Sequence, residues 1–331
     1  MSPATRHPAA ARRGEVWTRY WQALPADAAS GSFAGGYEGQ SIGLWWAGHM
    51  RTSASMQWLD LATGNGALPR LWAASPAHAG HMTAVDLAQL HLPWLQGLPG
   101  PLRGRIECLS GVDMEALPFA DAVFDVVISQ FGVEYADLAR VVDEAIRVLV
   151  PGGRLMWVLH DAAGRPARLA RVEIEHIDWL LSPTGLYHTT TTMVGPMSRL
   201  ADPRAAETLA TDAQALSARQ GHDAALGRLQ AQAAVSACPD VLFEAQDAAV
   251  QVLTAAMRQG PQAASSLAER WRLHLEDSRF RLAELVGHAL DEARLQWLVA
   301  ELGARGCGVT TGTIEDRGYR MAHGLTAERQ H

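Results

Sequence analysis

The chain has 331 residues, 48% apolar and 19% charged, and 35 acidic against 28 basic residues give it a net charge of −7. That composition supplies a core for one elaborated α/β domain or two smaller ones and excludes a disordered or fibrous chain, while the acidic balance argues against a nucleic-acid partner. No apolar run approaches the roughly 18 to 20 residues that span a bilayer, residues 1–13 lack the apolar stretch of a signal peptide, and Cys108, Cys238 and Cys307 are too scattered for a disulfide framework or a metal site, so the expectation is a soluble cytoplasmic protein.

In chain order, the first 50 residues read as a cap segment. It contains Gly35-Gly36-Tyr37 and the pair Trp45-Trp46, and the tryptophans fit an aromatic helix packed on a sheet. From residue 56 to 161 short apolar runs alternate with amphipathic ones. Runs bounded by turn residues predict buried strands at 56–62, 82–86, 105–109, 124–130 and 155–160. The first three begin about 25 residues apart, room for one crossover helix between each pair. Leu68, Leu71 and Trp72 share one helical face, as do Val141, Val142, Ala145, Ile146 and Leu149. Such alternation predicts a mostly parallel sheet covered by helices on both faces.

Beyond His160 the pattern changes. Residues 167–181 have helical period, and 182–200, with Pro183, Gly185, four consecutive threonines, Gly195 and Pro196, read as an irregular loop or hinge. Residues 202–287 predict three or four helices inserted into the α/β unit, followed by a helix at 291–305. Two β-branched runs, 308–314 and 319–325, flank Glu315-Asp316-Arg317-Gly318 and predict an antiparallel hairpin.

The first strand runs into Asp60-Leu61-Ala62-Thr63-Gly64-Asn65-Gly66, and a helical pattern follows. Gly64 and Gly66 let the backbone turn sharply and approach a ligand, and the helix start offers free N–H groups to an anion. The hairpin alternative for Asn65-Gly66 requires a period of two in the next run, which instead repeats every three to four residues. A dinucleotide fingerprint requires glycine where Pro69 stands. Twenty residues after Gly66, Asp86 ends the second strand beside Leu87, where an acid accepts two hydrogen bonds from a ribose diol or caps a helix. Asp113 follows the third strand, where its carboxylate accepts from an exocyclic amine while Met114 covers a ring face.

The stretches LDLATGNG, AVDL, GVDMEALPFADAVFDVVIS and RVLVPGGRL, in this order and spacing, resemble the class I S-adenosylmethionine-dependent methyltransferases, in particular the subgroup with the ubiquinone, menaquinone and small-molecule enzymes. The resemblance implies a Rossmann-like seven-stranded, mostly parallel sheet with an antiparallel last strand. It also implies S-adenosylmethionine as cofactor. Asp60, Ala62, Thr63, Gly64, Asn65 and Gly66 would hold the methionine end, Asp86 and Leu87 the ribose, Asp113 and Met114 the adenine. Gln130 and Phe131 would close the pocket, with Tyr37 or Trp46 as a cover. Ala62 departs from the family, which has glycine there, and serves if its φ stays negative. The division is then an N-terminal cap at 1–50, a cofactor-binding core at 51–163, a helical insert at 164–287 and core completion at 288–327.

Methyl transfer is an in-line displacement, so a base is required only where the acceptor must lose a proton. His160, at the end of the fifth strand, is the candidate, with Asp161, Glu134 and Tyr135 nearby. No paired acids suggest a metal. The expected partner is a small-molecule methyl acceptor, without nucleic acid or membrane. The insert, with Trp179, Tyr187, His188 and Trp271, reads either as a substrate chamber or as a homodimer interface.

Overall fold

In the computed structural model the described residues are 8–23, 40–50, 55–75, 80–200, 202 and 204–330, so Tyr37 lies outside them. The elements in chain order are α1 (Pro8–Ala23), α2 (Ser41–His49), β1 (Gln57–Leu61), α3 (Ala67–Ala74), β2 (His81–Asp86), α4 (Gly100–Arg103), β3 (Ile106–Ser110), β4 (Phe124–Gln130), α5 (Leu138–Val148) and β5 (Leu149–His160). They continue with α6 (Arg165–Leu180), α7 (Leu186–Arg199), α8 (Ala205–Leu209), α9 (Ala213–Val235), α10 (Asp240–Gln259), α11 (Pro261–His288), α12 (Glu292–Ala304), β6 (Cys307–Asp316) and β7 (Tyr319–Arg329). One seven-stranded sheet runs in the order β3-β2-β1-β4-β5-β7-β6. β1 to β5 pair in parallel, and β7 lies antiparallel to both β5 and β6. This is the Rossmann-like arrangement expected, and its strand order reverses between β1 and β4.

The central strands β1, β2, β4 and β5 are buried on both faces, which is why they are largely apolar runs. Alternate residues go to opposite sides. Leu59, Leu61, Val127, Leu155 and Trp157 pack with Val141, Val142 and Ala145 of α5 and Leu298 and Leu302 of α12. Trp58, Met82, Val126, Ile128, Met156 and Val158 pack with Ile42 and Trp46 of α2 and Leu68 and Trp72 of α3. Trp46 is therefore core, as the aromatic-helix reading has it. Asp137 caps α5 by accepting the Ala139 N–H at 3.0 Å, and Asp291 caps α12 by accepting that of Arg294 at 2.8 Å. Each such cap satisfies a backbone donor that the helix itself cannot.

Three local expectations are corrected. The second crossover, between β2 and β3, holds a 3-10 turn at Pro93–Gly97 and the four-residue α4 in place of a full helix. Pro93, Gly97, Pro99, Gly100, Pro101 and Gly104 leave too few uninterrupted N–H groups for a longer one. Residues 182–200 are a short turn followed by the helix α7, not an irregular loop. The threonines bond back into that helix, Thr189 to the Gly185 carbonyl at 3.0 Å and Thr192 to that of His188 at 2.9 Å. Leu186, Thr189, Thr190, Met193 and Val194 form its buried face, and packing outweighs the low helix propensity of the run. β5 begins at Leu149, earlier than the apolar run suggested, because Arg147-Val148-Leu149 passes from α5 into the strand without a loop.

The chain divides into two compact units, Met1–Ala167 with Glu284–His331, and Arg168–Ala283. The second unit is helical. Its core gathers Ile177, Leu180, Leu186, Leu229, Leu242, Ala256 and Ala264, each fully buried or nearly so. Trp179 and Trp271 both belong to that core, and Trp271 also lines a groove with Glu244, Arg270 and His274 between α10 and α11.

Candidate active site

The ends of β1, β2 and β4 converge on one cleft of the first unit, at the reversal of strand order where open α/β sheets bind ligands. After β1 the chain bends through Ala62, Thr63 and Gly64 into the start of α3. Gly64 has φ +57°, and a Cβ added there would stand 2.6 Å from Cζ2 of Trp21, so glycine is required both by backbone and by space. The Thr63 N–H donates to the Val85 carbonyl at 3.0 Å and ties the bend to β2. Asp86, at the tip of β2, accepts the Gly64 N–H at 2.8 Å on Oδ2 and the Ala88 N–H at 2.8 Å on Oδ1. Burial pushes its carboxyl up, and these backbone donors pull it back.

Ala62 does not keep the negative φ that its role was expected to need. Its φ is +56°, the left-handed region that disfavours a Cβ, so the family's glycine position is occupied here by a strained alanine. Phe131, just past β4, is strained likewise at φ +53°.

Asp60 lies one residue inside β1 and is 1% exposed. Neither of its oxygens has a hydrogen-bond partner of good geometry among the described residues, and the Thr63 hydroxyl beside it is also unpaired. Burial pushes the Asp60 carboxyl up to about 8, with Thr63 pulling it down and the Asp86 carboxylate pushing it further up. A buried acid in this condition is costly unless a donor or cation meets it.

The cleft has two adjoining parts. One is lined by Asp86, Leu87, Asp113 and Met114 together with Trp17 and Trp21 of α1. Asp113 holds its own turn by accepting the Glu115 N–H at 2.9 Å. The other is lined by Asp60, Thr63, Gly64, Asn65, Gln130 and His160, together with Tyr20. Ala62, Phe131, Trp17, Trp21 and Tyr135 border both. Gln130 is fixed by the Trp46 indole, which donates to its Oε1 at 2.6 Å. Among the other cofactor-site candidates, Gly66 has φ +78° and lies under the Trp94 ring, whose indole donates to the Asn65 carbonyl at 3.1 Å.

His160 closes the floor. Its Nδ1 lies 2.8 Å from Oε1 of Glu134, and its backbone N–H donates to the same oxygen at 3.0 Å. The ring stacks on Phe131 with centroids 4.1 Å apart and meets Tyr135 edge-on at 5.9 Å. Asp161, in contrast, turns away from the cleft to pair with Arg320 at 2.7 Å and is structural.

Sequence reading missed the cover. Trp17 and Trp21 of α1 stack at 5.6 Å, Trp17 meets Tyr135 at 5.8 Å, and the helix is anchored by Arg13 on Glu284 and by the Thr18 hydroxyl, which accepts the Gln89 N–H at 2.9 Å. Trp17, Tyr20 and Trp21, spaced three and four apart, were the available signal for an aromatic helix face.

Comparison with known proteins accords with this geometry. Residues 59–157 match the Methyltransf_11 family, a methyltransferase domain. Malonyl-[acyl-carrier protein] O-methyltransferase of Erwinia billingiae is 35% identical over 30% of this chain and 37% of its own length. The ubiquinone/menaquinone biosynthesis C-methyltransferase UbiE of Roseobacter denitrificans is 33% identical over 34% of this chain and 46% of its own. An S-adenosylmethionine dependent methyltransferase structure from Mesorhizobium loti aligns with 21% identity and a TM-score of 0.34, over 40% of this chain and 60% of that one. The chain spans less than half the length of the curated relatives it matches. The match to a methyltransferase domain runs from β1 into β5, the segment that carries the strand ends bordering the cleft.

Proposed function

We propose that the chain transfers the methyl group of S-adenosylmethionine to a small-molecule acceptor. The observation that carries this reading is the buried, unpaired carboxylate of Asp60 beside the glycine bend. A cationic ammonium at that point meets a buried acid whose oxygens have no hydrogen-bond partner of good geometry among the described residues, so the residues present fit the methionine end of the cofactor. Thr63, Gly64, Asn65 and Gly66 surround the same end, with the N–H groups opening α3 toward its carboxylate. Asp86 has lone pairs left after its two backbone bonds, and these suit a ribose diol next to Leu87. Asp113 and Met114 line the same part of the cleft as Asp86, which supports their role toward the adenine amine and ring face. Gln130 and Phe131 border the part where the methyl would be delivered.

The bound cofactor supplies an electrophilic methyl carbon on a sulfonium. The protein's own contribution is to align an acceptor with it and to keep water out, which the indoles of Trp17 and Trp21 and the ring of Tyr135 favour. The reading places the reaction in the cytoplasm, where three free cysteines suit reducing conditions. No described helix is long and apolar enough to cross a membrane, and the charge of −7 disfavours a nucleic-acid acceptor. A homodimer built on the helical insert belongs to the same reading.

Calorimetry with S-adenosylhomocysteine tests it directly, followed by transfer of tritiated methyl to a small-molecule extract of the producing cell. Saturable binding that Asp86→Ala weakens at least tenfold is expected, because a charged acceptor of hydrogen bonds is worth about 1.5–3 kcal/mol. Absence of binding at millimolar ligand would overturn the assignment.

A further inference from the structure

We propose that His160 is the general base of this reaction, held in position by Glu134, and that the acceptor it serves attacks through a phenolic hydroxyl. The proposal rests on the methyl-transfer reading of the cleft and adds the acceptor class to it. Its starting point is the double use of one oxygen. Oε1 of Glu134 lies 2.8 Å from Nδ1 of His160 and 3.0 Å from the backbone nitrogen of the same residue. An oxygen that accepts the backbone N–H is an acceptor for the ring as well, so Nδ1 carries the hydrogen and Nε2 the lone pair. Glu134 is fully buried and its other oxygen has no partner among the described residues, so its interaction is spent on His160 alone.

The ring cannot turn away from this arrangement. Phe131 stacks on it at 4.1 Å, and the backbone N–H of Phe131 is bonded to the Val158 carbonyl at 2.8 Å. Nε2 makes no hydrogen bond among the described residues, and His160 shares its part of the cleft with Asp60, Gly64 and Gln130. The imidazole is therefore oriented, and it stands in the part assigned to the methionine end. The titratable groups around it are Glu134 and Tyr135 from the turn after β4, Asp60 from β1, Tyr20 from α1, and the Arg13–Glu284 pair near Tyr135. Burial and the neighbouring Glu134 raise the Tyr135 phenol well above its ordinary value, so Tyr135 stays neutral and does not compete as a base.

The chemistry narrows the acceptor. A neutral amine or a carboxylate attacks without a base, so an oriented base points to a hydroxyl acceptor. A phenol, which ionises near the tyrosine value of about 10, lies within the range where an oriented histidine contributes roughly 10²–10⁴-fold. The lining of Trp17, Tyr20, Trp21, Phe131 and Tyr135 suits an aromatic ring by stacking and edge contacts. In the step, the phenol O–H gives its proton to Nε2 as its oxygen bonds to the methyl carbon. The C–S bond breaks with its electron pair remaining on sulfur, and the imidazolium returns its proton to solvent.

The test uses two phenols of different acidity, 4-methylphenol and 4-nitrophenol, in single-turnover methyl transfer by the full chain. His160→Gln is expected to lose at least a hundredfold with 4-methylphenol and less than tenfold with 4-nitrophenol, whose hydroxyl ionises near neutral pH without a base. A merely structural histidine would lower both alike, and that result would overturn the proposal. Glu134→Gln is expected to lose about tenfold with 4-methylphenol and to move the acid limb of the pH–rate profile downward, since the imidazolium loses its counter-charge. An unmoved limb would remove Glu134 from the proposal. Binding of S-adenosylhomocysteine is measured in parallel. Binding without transfer to either phenol overturns the acceptor class alone, whereas loss of binding in the unsubstituted chain overturns the methyl-transfer reading beneath it.

Discussion

Binding of S-adenosylhomocysteine should expel a proton from Asp60. The carboxyl is pushed up to about 8 by burial, which the Thr63 side chain relieves only in part. At pH 7 a group of that kind is about nine-tenths protonated. A ligand ammonium placed against it favours the carboxylate and lowers its pKa by about 1–3, so roughly 0.4–0.9 proton leaves per ligand bound at pH 7 and about 0.1 at pH 9. Titration calorimetry in buffers of unlike ionisation enthalpy, phosphate and Tris, reads this number directly. Asp60→Asn should abolish the buffer dependence and weaken binding about 10- to 100-fold, the worth of one charge-assisted hydrogen bond. Equal heats in both buffers at pH 7, or a proton release that survives in Asp60→Asn, would refute the reasoning. The same shift fixes the sign of a stability effect. The folded chain holds its proton above the ordinary value of 3.8, so without ligand its stability falls as pH rises from about 4 toward 8, and Asp60→Asn should flatten that decline in urea titrations.

Three further outcomes follow from the same geometry. Ala62→Gly removes a Cβ from a φ of +56° and should stabilise the chain by about 0.5–1 kcal/mol after glycine's added chain entropy, seen as a rise of about 2 °C in the thermal midpoint; a fall would contradict the strain argument. Gly64→Ala sets a Cβ 2.6 Å from the Trp21 ring at φ +57° and should weaken S-adenosylhomocysteine binding at least tenfold by calorimetry, about 1.4 kcal/mol or more. Arg147 donates to the Phe119 carbonyl at 2.7 Å and the Leu117 carbonyl at 3.1 Å while pairing with Glu144 at 2.7 Å, so Arg147→Met should cost about 1–3 kcal/mol and speed amide exchange across residues 111–119. The hydrogen bond from Arg147 also holds the Glu144 carboxyl below its ordinary value, a stabilisation present above about 4.5 and lost as pH falls, so the variant should lose stability less steeply with acid.

Most of the sheet was legible because its central strands are buried on both faces and therefore read as apolar runs with glycine or acid at their ends. The order of elements came from turn-bounded apolar runs, the helical insert from helical period, and the hairpin from β-branched runs on either side of a glycine turn. Two features were hidden for physical reasons. α7 carries threonines, a glycine and an internal proline, and only its packed face and the hydroxyl back-bonds explain a helix there. The contact between Glu134 and His160 joins residues 26 apart through the parallel pairing of β4 with β5, so no local pattern announces it. Cofactor-site candidates were easier, since Asp60, Gly64, Asp86 and Asp113 each end or follow a strand. Trp17 and Trp21 were overlooked because an aromatic helix face looks the same whether it covers a core or a cleft.

The backbone strain of the molecule is distributed in a way that bears on this. Among the described residues, Ala62, Ala122, Phe131 and Arg317 are the non-glycine positions with positive φ. Arg317 belongs to the tight turn between β6 and β7, where such a φ is ordinary. Ala62 and Phe131 are different, for they follow β1 and β4, the two parallel neighbours at which the strand order reverses. The Ser129 hydroxyl donates to the Leu61 carbonyl at 2.8 Å and locks those two strand ends together, so neither residue can relax without the other. Strain of about 1–3 kcal/mol per residue persists only where surrounding structure fixes the conformation. Here it re-aims the chain twice at one point, once to carry Gly64 under the ligand and once to set Phe131 against His160. A replacement that relaxed both turns would gain stability and lose the cleft, which is the reason to measure Ala62→Gly for affinity as well as for melting.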